Sequence, residues 1–339
     1  MGLLSQEAPH NIVILRALQL GDLLCSVPAF RALRAAYPKA RISLIGLPWA
    51  EEFVRRFSDY LDDFIQFPGW PGLPEQAVQA EKIPEFLKAM QRRNFDLALQ
   101  MQGNGTYTNP LMALLGAHRV AGFYLPGQFC PDEALFQVYP EGEHEIRVFL
   151  RLLKGLGIPS QGEELEFPVT ASEQAAFEQF SQARGLRKDY VCLHPGARAA
   201  SRRWAPEKFA AVGDALAQMG YQVVLTGSAQ EAPLVQEVAR AMRSPALDTA
   251  GQTSLDTLAQ LIGEARLLVS NDTGVSHLAV AMKTPSVVLF TIPSPSRWRP
   301  LDEQRHRVID NAMQATPEQV LAEAVPLLKE MREYAHDSL

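Results

Sequence analysis

The segment SNDTGVSHLAVAMKTPSVVLF, residues 270–290, joins two short apolar runs through a polar turn and an apolar helical stretch. The run at 267–270 is typical of a strand, and residues 271–274 form the turn that opens a helix running to about Met282. Aspartate and threonine are common helix N-caps. The order strand, turn, helix, strand predicts a parallel α/β unit.

This turn also has the chemistry of an anion site. Free backbone N–H groups and the positive end of the helix dipole favour a phosphate, and Gly274 lets the phosphate approach the backbone. His277, one turn further on, could donate to the same anion. The turn alone is equally consistent with a structural interpretation, in which Asp272 only caps the helix and His277 packs in the core.

The same alternation of strands and helices extends over the chain. NIVILRAL, RISLIGL, DDFIQF, FDLALQM and RVAGF form one series, and YVCLHPG, YQVVLTGS, ALDTAG, RLLVSND and PSVVLFT form a second. Because 339 residues exceed one comfortable core, we predict two doubly wound, Rossmann-like domains. The boundary falls in the stretch PSQGEELEFPVT, giving domains 1–165 and 166–316, followed by a helix over 317–335 that opens with Thr316 and Pro317.

Composition limits the classes of protein. Hydrophobic residues at 47%, charged residues at 21% and a net charge of −6 describe a soluble globular protein and argue against nucleic acid as a partner. The three scattered cysteines, Cys25, Cys130 and Cys192, lack metal-ligand spacing and indicate a reducing compartment. The N-terminus has no basic region before an apolar run too short to span a membrane, which predicts a cytoplasmic location.

The first strand is followed by the turn in LRALQLGDLLCSVPAF, which lacks the GxGxxG fingerprint of dinucleotide binding. Asp22 follows Gly21 at the carboxyl end of this strand, where α/β proteins place reactive groups. The alternative is that Asp22 is only the N-cap of the next helix.

The second series begins with YVCLHPGARAASRRWAPEKF, in which a strand is followed by Arg198, Arg202 and Arg203. Three arginines on one loop face either an anion or solvent. Two further strands, ending in GSAQE and DTGVSH, deliver polar groups to the same edge of the sheet, which predicts a nucleotide diphosphate pocket. The residues predicted to line it are His194, Gly196, Gly227, Ser228, Glu231, Asp272, Thr273, Gly274 and His277.

Taken in order, several segments resemble glycosyltransferase family 9, the bacterial heptosyltransferases of lipopolysaccharide core synthesis. They are LRALQLGDLLCSVPAFRALRAAYPKARI, FDLALQMQG, RVAGF, LHPGARAASRRWAPEKFA, VVLTGSAQE and VSNDTGVSHLAVAMKTPSVVLF, and they span nearly the whole chain. The resemblance implies a GT-B fold, in which two Rossmann-like domains face a central cleft. It implies that the first domain binds the acceptor, the second binds the nucleotide sugar, and the final helix packs back on the first.

The resemblance further implies an inverting, metal-independent transferase without a cofactor. On this resemblance it would move a sugar, expected to be heptose from ADP-heptose, to the lipopolysaccharide core or a related glycolipid at the cytoplasmic face of the inner membrane. Asp22 corresponds to the family's proposed general base. Arg202, with the Thr273 and Gly274 backbone, would meet the charge of the leaving diphosphate. Gln102 and Gly103, at the end of a first-domain strand, are expected on the acceptor side.

Two departures from the family pattern stand out. Arg202 occupies a position where lysine is common, which changes a point donor into a fork. TIPSPSRWRP, residues 291–300, replaces the GPTDP-like sequence of many relatives. Two alternatives remain: a sugar-nucleotide epimerase of the same architecture, and a nucleotide-sugar-binding relative without catalysis. The presence of Asp22, Arg202 and His277 argues against the second.

Overall fold

A computed structural model describes residues 8–291 and 295–336, with helical side chains at the C-terminus described through residue 329. The chain divides into two compact units, Met1–Glu164 and Leu165–Leu339. This division lies one residue from the boundary predicted from the sequence. Each unit contains a six-stranded parallel sheet with intervening helices.

The first unit has its strands in the order β3-β2-β1-β4-β5-β6. The strands are β1 Asn11–Leu15, β2 Arg41–Gly46, β3 Asp63–Gln66, β4 Leu97–Gln100, β5 Arg119–Tyr124 and β6 Phe136–Val138. The helices are α1 Leu20–Leu24, α2 Val27–Ala36, α3 Ala50–Arg56, α4 Ile83–Arg92, α5 Thr108–Leu114 and α6 Glu145–Gly155, with a 3-10 turn at Ala80–Lys82.

The second unit has the order β12-β11-β10-β7-β8-β9. Its strands are β7 Tyr190–His194, β8 Gln222–Leu225, β9 Ala246–Asp248, β10 Leu268–Asn271, β11 Ser286–Leu289 and β12 His306–Ile309. Its helices are α7 Ala171–Arg184, α8 Pro206–Gln218, α9 Ala232–Ala241, α10 Leu255–Gly263, α11 Gly274–Ala281, α12 Pro295–Trp298 and α13 Pro317–His336, with 3-10 turns at Ala200–Arg202 and Ala229–Glu231.

Both units therefore have the same topology, in which the first and fourth strands of the unit are neighbours. β1 pairs in parallel with β4, and β7 pairs in parallel with β10. The chain leaves these paired strands in opposite directions, which opens a crevice at their carboxyl ends. Ligands of open α/β sheets bind at this point, so the fold itself directs attention to the residues after β1, β4, β7 and β10.

The strands are apolar because helices cover both faces of a parallel sheet. In β1, Ile12, Val13, Ile14 and Leu15 are all fully buried. The core of the first unit combines side chains such as Val13, Ile45, Phe67, Phe95 and Leu111. The core of the second unit combines side chains such as Leu193, Trp204, Phe209, Val269 and Leu289.

The final helix, α13, belongs to the second unit over the part whose side chains are described. Thr316 N donates to Gln319 Oε1 at 2.9 Å, and Gln319 N donates to Thr316 Oγ1 at 3.4 Å, which closes a capping box. Val320, Ala324 and Leu327 are buried in the second core. Packing of this helix against the first domain stays a prediction. No helix of the described chain combines the length and the apolar character needed to cross a membrane.

Candidate active site

The turn after β10 has the geometry of a helix start that is open to an anion. Thr273 is the N-cap of α11, and its Oγ1 accepts a hydrogen bond from Val275 N at 3.3 Å. Asp272, which the sequence offered as a cap, lies one residue earlier. The amides of Thr273 and Gly274 have no acceptor among the described residues. They are therefore free to bind a phosphate oxygen.

Arg202 is tied directly to this turn. Its Nη2 donates to the backbone oxygen of Asp272 at 2.7 Å and forms an ion pair with the Asp272 carboxylate. A guanidinium has five N–H donors, and only Nη2 has an acceptor within the described part of the chain. The structure therefore brings Arg202 and the helix start together, as predicted, and leaves donors for a ligand.

The other two arginines of this loop behave differently. Arg203 Nε donates to Ala197 O at 2.9 Å, so this side chain stabilises the loop itself. Arg198 is exposed and makes no hydrogen bond or ion pair with a described residue. Of the three arginines that the sequence singled out, Arg202 alone contacts the α11 turn.

Asn271 is a site residue that the sequence analysis did not identify. It is fully buried, its Oδ1 accepts from Trp204 N at 3.0 Å, and its Nδ2 donates to Pro195 O at 2.8 Å. A further contact joins Nδ2 to Gly196 O at 3.3 Å. One amide thus fixes the loop after β7 against the end of β10. Asparagine beside Asp-Thr-Gly looks like an ordinary turn residue, so the sequence carried no signal for this role.

Glu231 lies in the 3-10 turn that follows β8. Ser228 donates to Glu231 Oε2 from its backbone nitrogen at 2.8 Å and from its hydroxyl at 2.9 Å. A Cβ placed on Gly196 would lie 2.2 Å from Glu231 Oε1, so the carboxylate packs directly on the Gly196 backbone. Gly227 is similarly crowded, because a Cβ there would lie 2.9 Å from Val235 Cγ2. Gly196 therefore lets the ends of β7 and β8 meet, and Gly227 lets α9 pack against the end of β8.

The lowered pKa values of His194 and Glu231 leave His194 neutral and Glu231 ionised near neutral pH. Burial lowers the pKa of His194, although the Glu231 charge opposes this shift, and His194 Nδ1 lies 2.9 Å from Thr226 Oγ1. Burial would raise the pKa of Glu231, but the Ser228 hydrogen bonds, together with the positive charges of Arg203 and, when it is protonated, of His194, outweigh burial and lower the pKa. An ionised Glu231 can only accept hydrogen bonds, as a pair of ribose hydroxyls requires.

His277 lies inside α11 and is mostly buried. Its ring meets Trp298 edge to face, with 6.0 Å between ring centroids and an interplanar angle of 66°. Trp298 belongs to the segment 291–300 that departs from the family pattern, of which residues 292–294 lie outside the described residues. His277 therefore packs against Trp298, and a contact of His277 with phosphate or sugar stays a prediction.

In the first unit, Asp22 occupies the third position of α1. The N-cap of that helix is Gln19, so the alternative that Asp22 is a cap is wrong. The Asp22 side chain is 25% exposed, and its Oδ1 lies 3.7 Å from Arg16 Nη2. A partly exposed carboxylate beside a fixed cation, at the carboxyl end of β1, is well placed to meet a ligand.

Arg16 is itself part of a buried network that the sequence analysis missed. It is fully buried, and its Nη2 donates to Glu145 Oε1 at 2.8 Å and to Asp22 O at 3.1 Å. Its Nη1 donates to Met101 O at 2.6 Å, and its guanidinium carbon lies 4.4 Å from the Phe149 ring centroid. The available signal was one arginine within the apolar run NIVILRAL.

Gln102 and Gly103 follow β4, beside the end of β1. Gln102 is buried, and its Oε1 accepts from Ala17 N at 2.7 Å, so half of this amide has a structural role. Its Nε2 has no partner among the described residues. Gly103 is exposed, has φ +61°, and would have open space around a Cβ. Acceptor binding by this pair stays a prediction.

Within the described ranges, no group of three His, Cys, Asp or Glu side chains is arranged to hold a metal ion. The groups that can meet a diphosphate here are backbone amides, a helix dipole and a guanidinium. Metal independence itself stays a prediction.

Comparison with solved structures establishes the class of fold. E. coli ADP-heptose lps heptosyltransferase II superposes with a TM-score of 0.77 at 23% identity, covering 95% of this chain and 99% of that one. E. coli heptosyltransferase WaaC with ADP-2-deoxy-2-fluoro heptose gives 0.63 at 21% identity, covering 95% and 99%. UDP-GlcNAc 2-epimerase from Methanocaldococcus jannaschii gives 0.53 at 13%, covering 93% and 92%. The predicted GT-B fold is confirmed.

The sequence comparison narrows this class to one family. The model of glycosyltransferase family 9 (heptosyltransferase) matches residues 83–328, so the chain belongs to that family. Lipopolysaccharide heptosyltransferase 3 of Escherichia coli K12 is 26% identical over 292 residues, covering 84% of this chain and 83% of the relative. The family match includes every predicted residue of the second-unit site and Gln102 and Gly103, whereas Asp22 precedes it.

Proposed function

We propose that this protein is an inverting, metal-independent glycosyltransferase that transfers heptose from ADP-heptose to the lipopolysaccharide core or a related glycolipid at the cytoplasmic face of the inner membrane. The observation that carries the proposal is the open start of α11 with Arg202 bound to Asp272, in a chain of glycosyltransferase family 9. The names of its relatives supply the sugar and the acceptor class.

The donor diphosphate would bind at the second-unit switch point. The amides of Thr273 and Gly274, at the positive end of the α11 dipole, would donate to the diphosphate. The remaining N–H groups of Arg202 would add donors that carry a positive charge. As ADP leaves, negative charge grows on the phosphate oxygens, where a fixed donor is worth about 3–4 kcal/mol. Glu231 accepts from ribose hydroxyls, in agreement with its lowered pKa.

The transfer step is a direct displacement at the anomeric carbon. The acceptor hydroxyl forms the new C–O bond while the bond to the diphosphate breaks and ADP leaves with the electron pair. The hydroxyl proton passes to the Asp22 carboxylate. Arg16 Nη2, 3.7 Å from Asp22 Oδ1, positions that carboxylate and does not touch the substrate.

The role of Asp22 is tested with Asp22→Asn. We expect ADP affinity to stay within about twofold and turnover to fall at least ~100-fold, because the amide cannot accept the proton. Asp59→Asn, which changes an exposed aspartate outside the site, is the matched control and should keep full turnover. Wild-type turnover by a folded Asp22→Asn protein would remove Asp22 from the base role.

The role of Arg202 is tested against its neighbour on the same loop. Arg202→Ala should weaken ADP binding and turnover together by at least ~10-fold, because a charge-assisted contact contributes in both states. Arg198→Ala should change either by less than about twofold, since an exposed charge is screened by solvent. The reverse pattern would assign the diphosphate to Arg198.

The donor is identified by thermal shift with ADP-, UDP-, GDP- and CDP-sugars. A ligand that binds the native state at 100 times its Kd adds about 2.7 kcal/mol of stability. Selective stabilisation by a UDP-sugar would overturn ADP-heptose as donor. The epimerase alternative is tested by incubating the donor without acceptor, because only an epimerase would convert it to an isomeric nucleotide sugar.

A further inference from the structure

The loops that follow the six strands of the first unit carry little positive charge. They span residues 16–19, 47–49, 67–79, 101–107, 125–135 and 139–144, all of which are described. Arg16 is the one lysine or arginine on these loops, and it is buried against Glu145. Their carboxylates are Glu75, Asp132, Glu133, Glu141 and Glu143. A phosphate or carboxylate would meet like charge here, with no exposed lysine or arginine on these loops.

Two exposed aromatic rings stand on the same edge. Tyr107 is 56% exposed and Phe129 is 53% exposed. Both are held near the first turn of α5: the Tyr107 ring lies against Gly72, where a Cβ would be 2.3 Å from Cδ1, and Phe129 O accepts from Asn109 Nδ2 at 3.1 Å. Apolar groups mark an interaction surface only where several lie together, and both of these residues are held at the start of one short helix.

On these loops and in the first turn of α5, several buried polar atoms have no hydrogen-bond partner among the described residues. Three are donors and three are acceptors: Arg16 Nε, Trp49 Nε1, Gln102 Nε2, Glu75 Oε2, Gln79 Oε1 and Asn109 Oδ1. Buried polar atoms are normally paired, so this concentration on one edge needs a partner. A hydroxyl group donates and accepts, whereas a phosphate or carboxylate only accepts. The mixed set therefore suits a ligand rich in hydroxyls.

We propose that the carboxyl edge of the first unit binds an uncharged saccharide. The residue that receives the new sugar would be a hexose or heptose without phosphate or carboxylate, with the apolar face of its ring on Tyr107 and Phe129. Its hydroxyls would pair with the loop amides and carboxylates after small side-chain rotations. This rests on the proposed transferase function, and it narrows the acceptor to a neutral part of a glycan.

Binding can be measured on the full chain without any donor. Saturation-transfer NMR and calorimetry are run with methyl heptoside and methyl heptoside 4-phosphate. We expect the neutral glycoside to bind at least ~10-fold more tightly, since the phosphate meets the carboxylates of these loops. Equal or tighter binding of the phosphorylated glycoside would overturn the proposal.

Matched variants locate the site. Tyr107→Ala should weaken binding of the neutral glycoside at least ~5-fold, whereas Tyr107→Phe should keep the affinity, because the ring makes the contact. Leu114→Ala is the control: it removes a large apolar side chain, 45% exposed, from the other end of α5. Glu133→Lys should reduce the difference in affinity between the neutral and the phosphorylated glycoside. Unchanged binding in Tyr107→Ala would refute the assignment of this surface.

The transfer assay separates failure of this inference from failure of the proposed function. Heptose transfer to phosphorylated acceptors alone would refute the neutral-saccharide inference and support the transferase. Neutral glycoside binding that depends on Tyr107, without transfer of heptose to any acceptor, would support the inference and refute the proposed heptosyltransferase. Transfer to neutral acceptors that falls in Tyr107→Ala through KM, with kcat retained, supports both.

Discussion

Replacing Glu145 by glutamine should destabilise the first unit strongly, although the new side chain has the same shape. Glu145 Oε1 lies 2.8 Å from Arg16 Nη2, and both side chains are buried. At an effective dielectric of 20, this charge pair is worth about 6 kcal/mol, and the Asp22 carboxylate at 3.7 Å supplies about 4.5 kcal/mol. Losing one partner of a buried pair costs about 3–5 kcal/mol.

Because Asp22 compensates part of the lost charge, we expect a loss near the lower end, about 3 kcal/mol. For a unit of this size that lowers the melting temperature by about 6–12 °C. Calorimetry measures the loss of stability, and hydrogen exchange should become faster in β1 and α6, where the loss is expected. Arg16→Met combined with Glu145→Gln should be more stable than Glu145→Gln alone, because no uncompensated buried cation remains.

Glu143→Gln is the matched control, two residues away. Glu143 Oε2 pairs with Arg151 Nη1 at 3.2 Å, but these side chains are 28% and 57% exposed, so the variant should lose less than about 1 kcal/mol. If Glu145→Gln is no less stable than Glu143→Gln, the buried network does not hold the first unit together. If the double variant is less stable than Glu145→Gln, the argument from a buried unpaired charge is wrong.

Three further predictions concern the second unit. Burial lowers the pKa of His306 to about 4, although the Asp302 charge opposes this shift. Because unfolding then takes up a proton between pH 6.5 and 4, the stability falls as the pH falls, by about 3 kcal/mol in all. Urea titrations at pH 7 and 4.5 should show that His306→Asn loses less stability over this range than the wild-type protein. Gly196→Ala should weaken ADP binding at least ~10-fold by displacing Glu231, and calorimetry showing normal affinity would refute this. Asn271→Ala should cost about 1–3 kcal/mol by urea unfolding, since Trp204 N loses its buried acceptor.

Several parts of the fold could be predicted because their signals are local. The helix start at 271–274 was predicted, and α11 runs from Gly274 to Ala281 as expected within one residue. Apolar runs such as YVCLH became the central strands, since strands buried on both faces need continuous apolar sequence. The glycines at 196 and 227 were singled out, and the structure shows the contacts that exclude a side chain at each.

Other features depend on contacts between residues far apart in the chain. Arg16 and Glu145 are 129 positions apart, and nothing near Glu145 distinguishes it from a surface glutamate at the start of a helix. Asn271 meets its partners 67 and 76 positions away. The cap alternative for Asp22 also required the backbone, because a helix that begins two residues earlier cannot be recognised from one glycine.

Sequence patterns alone were enough to predict the parallel α/β class, the two-domain organisation, the family and the residues at the ends of the strands. These follow from periodicity and from short motifs, which act over a few residues. The tertiary structure decided which of those residues meet: it selected Arg202 from three arginines, and it placed a buried ion pair behind Asp22. It also set exposed aromatic rings and unpaired polar atoms on one edge of the first sheet, because only the packed sheet brings its loops together.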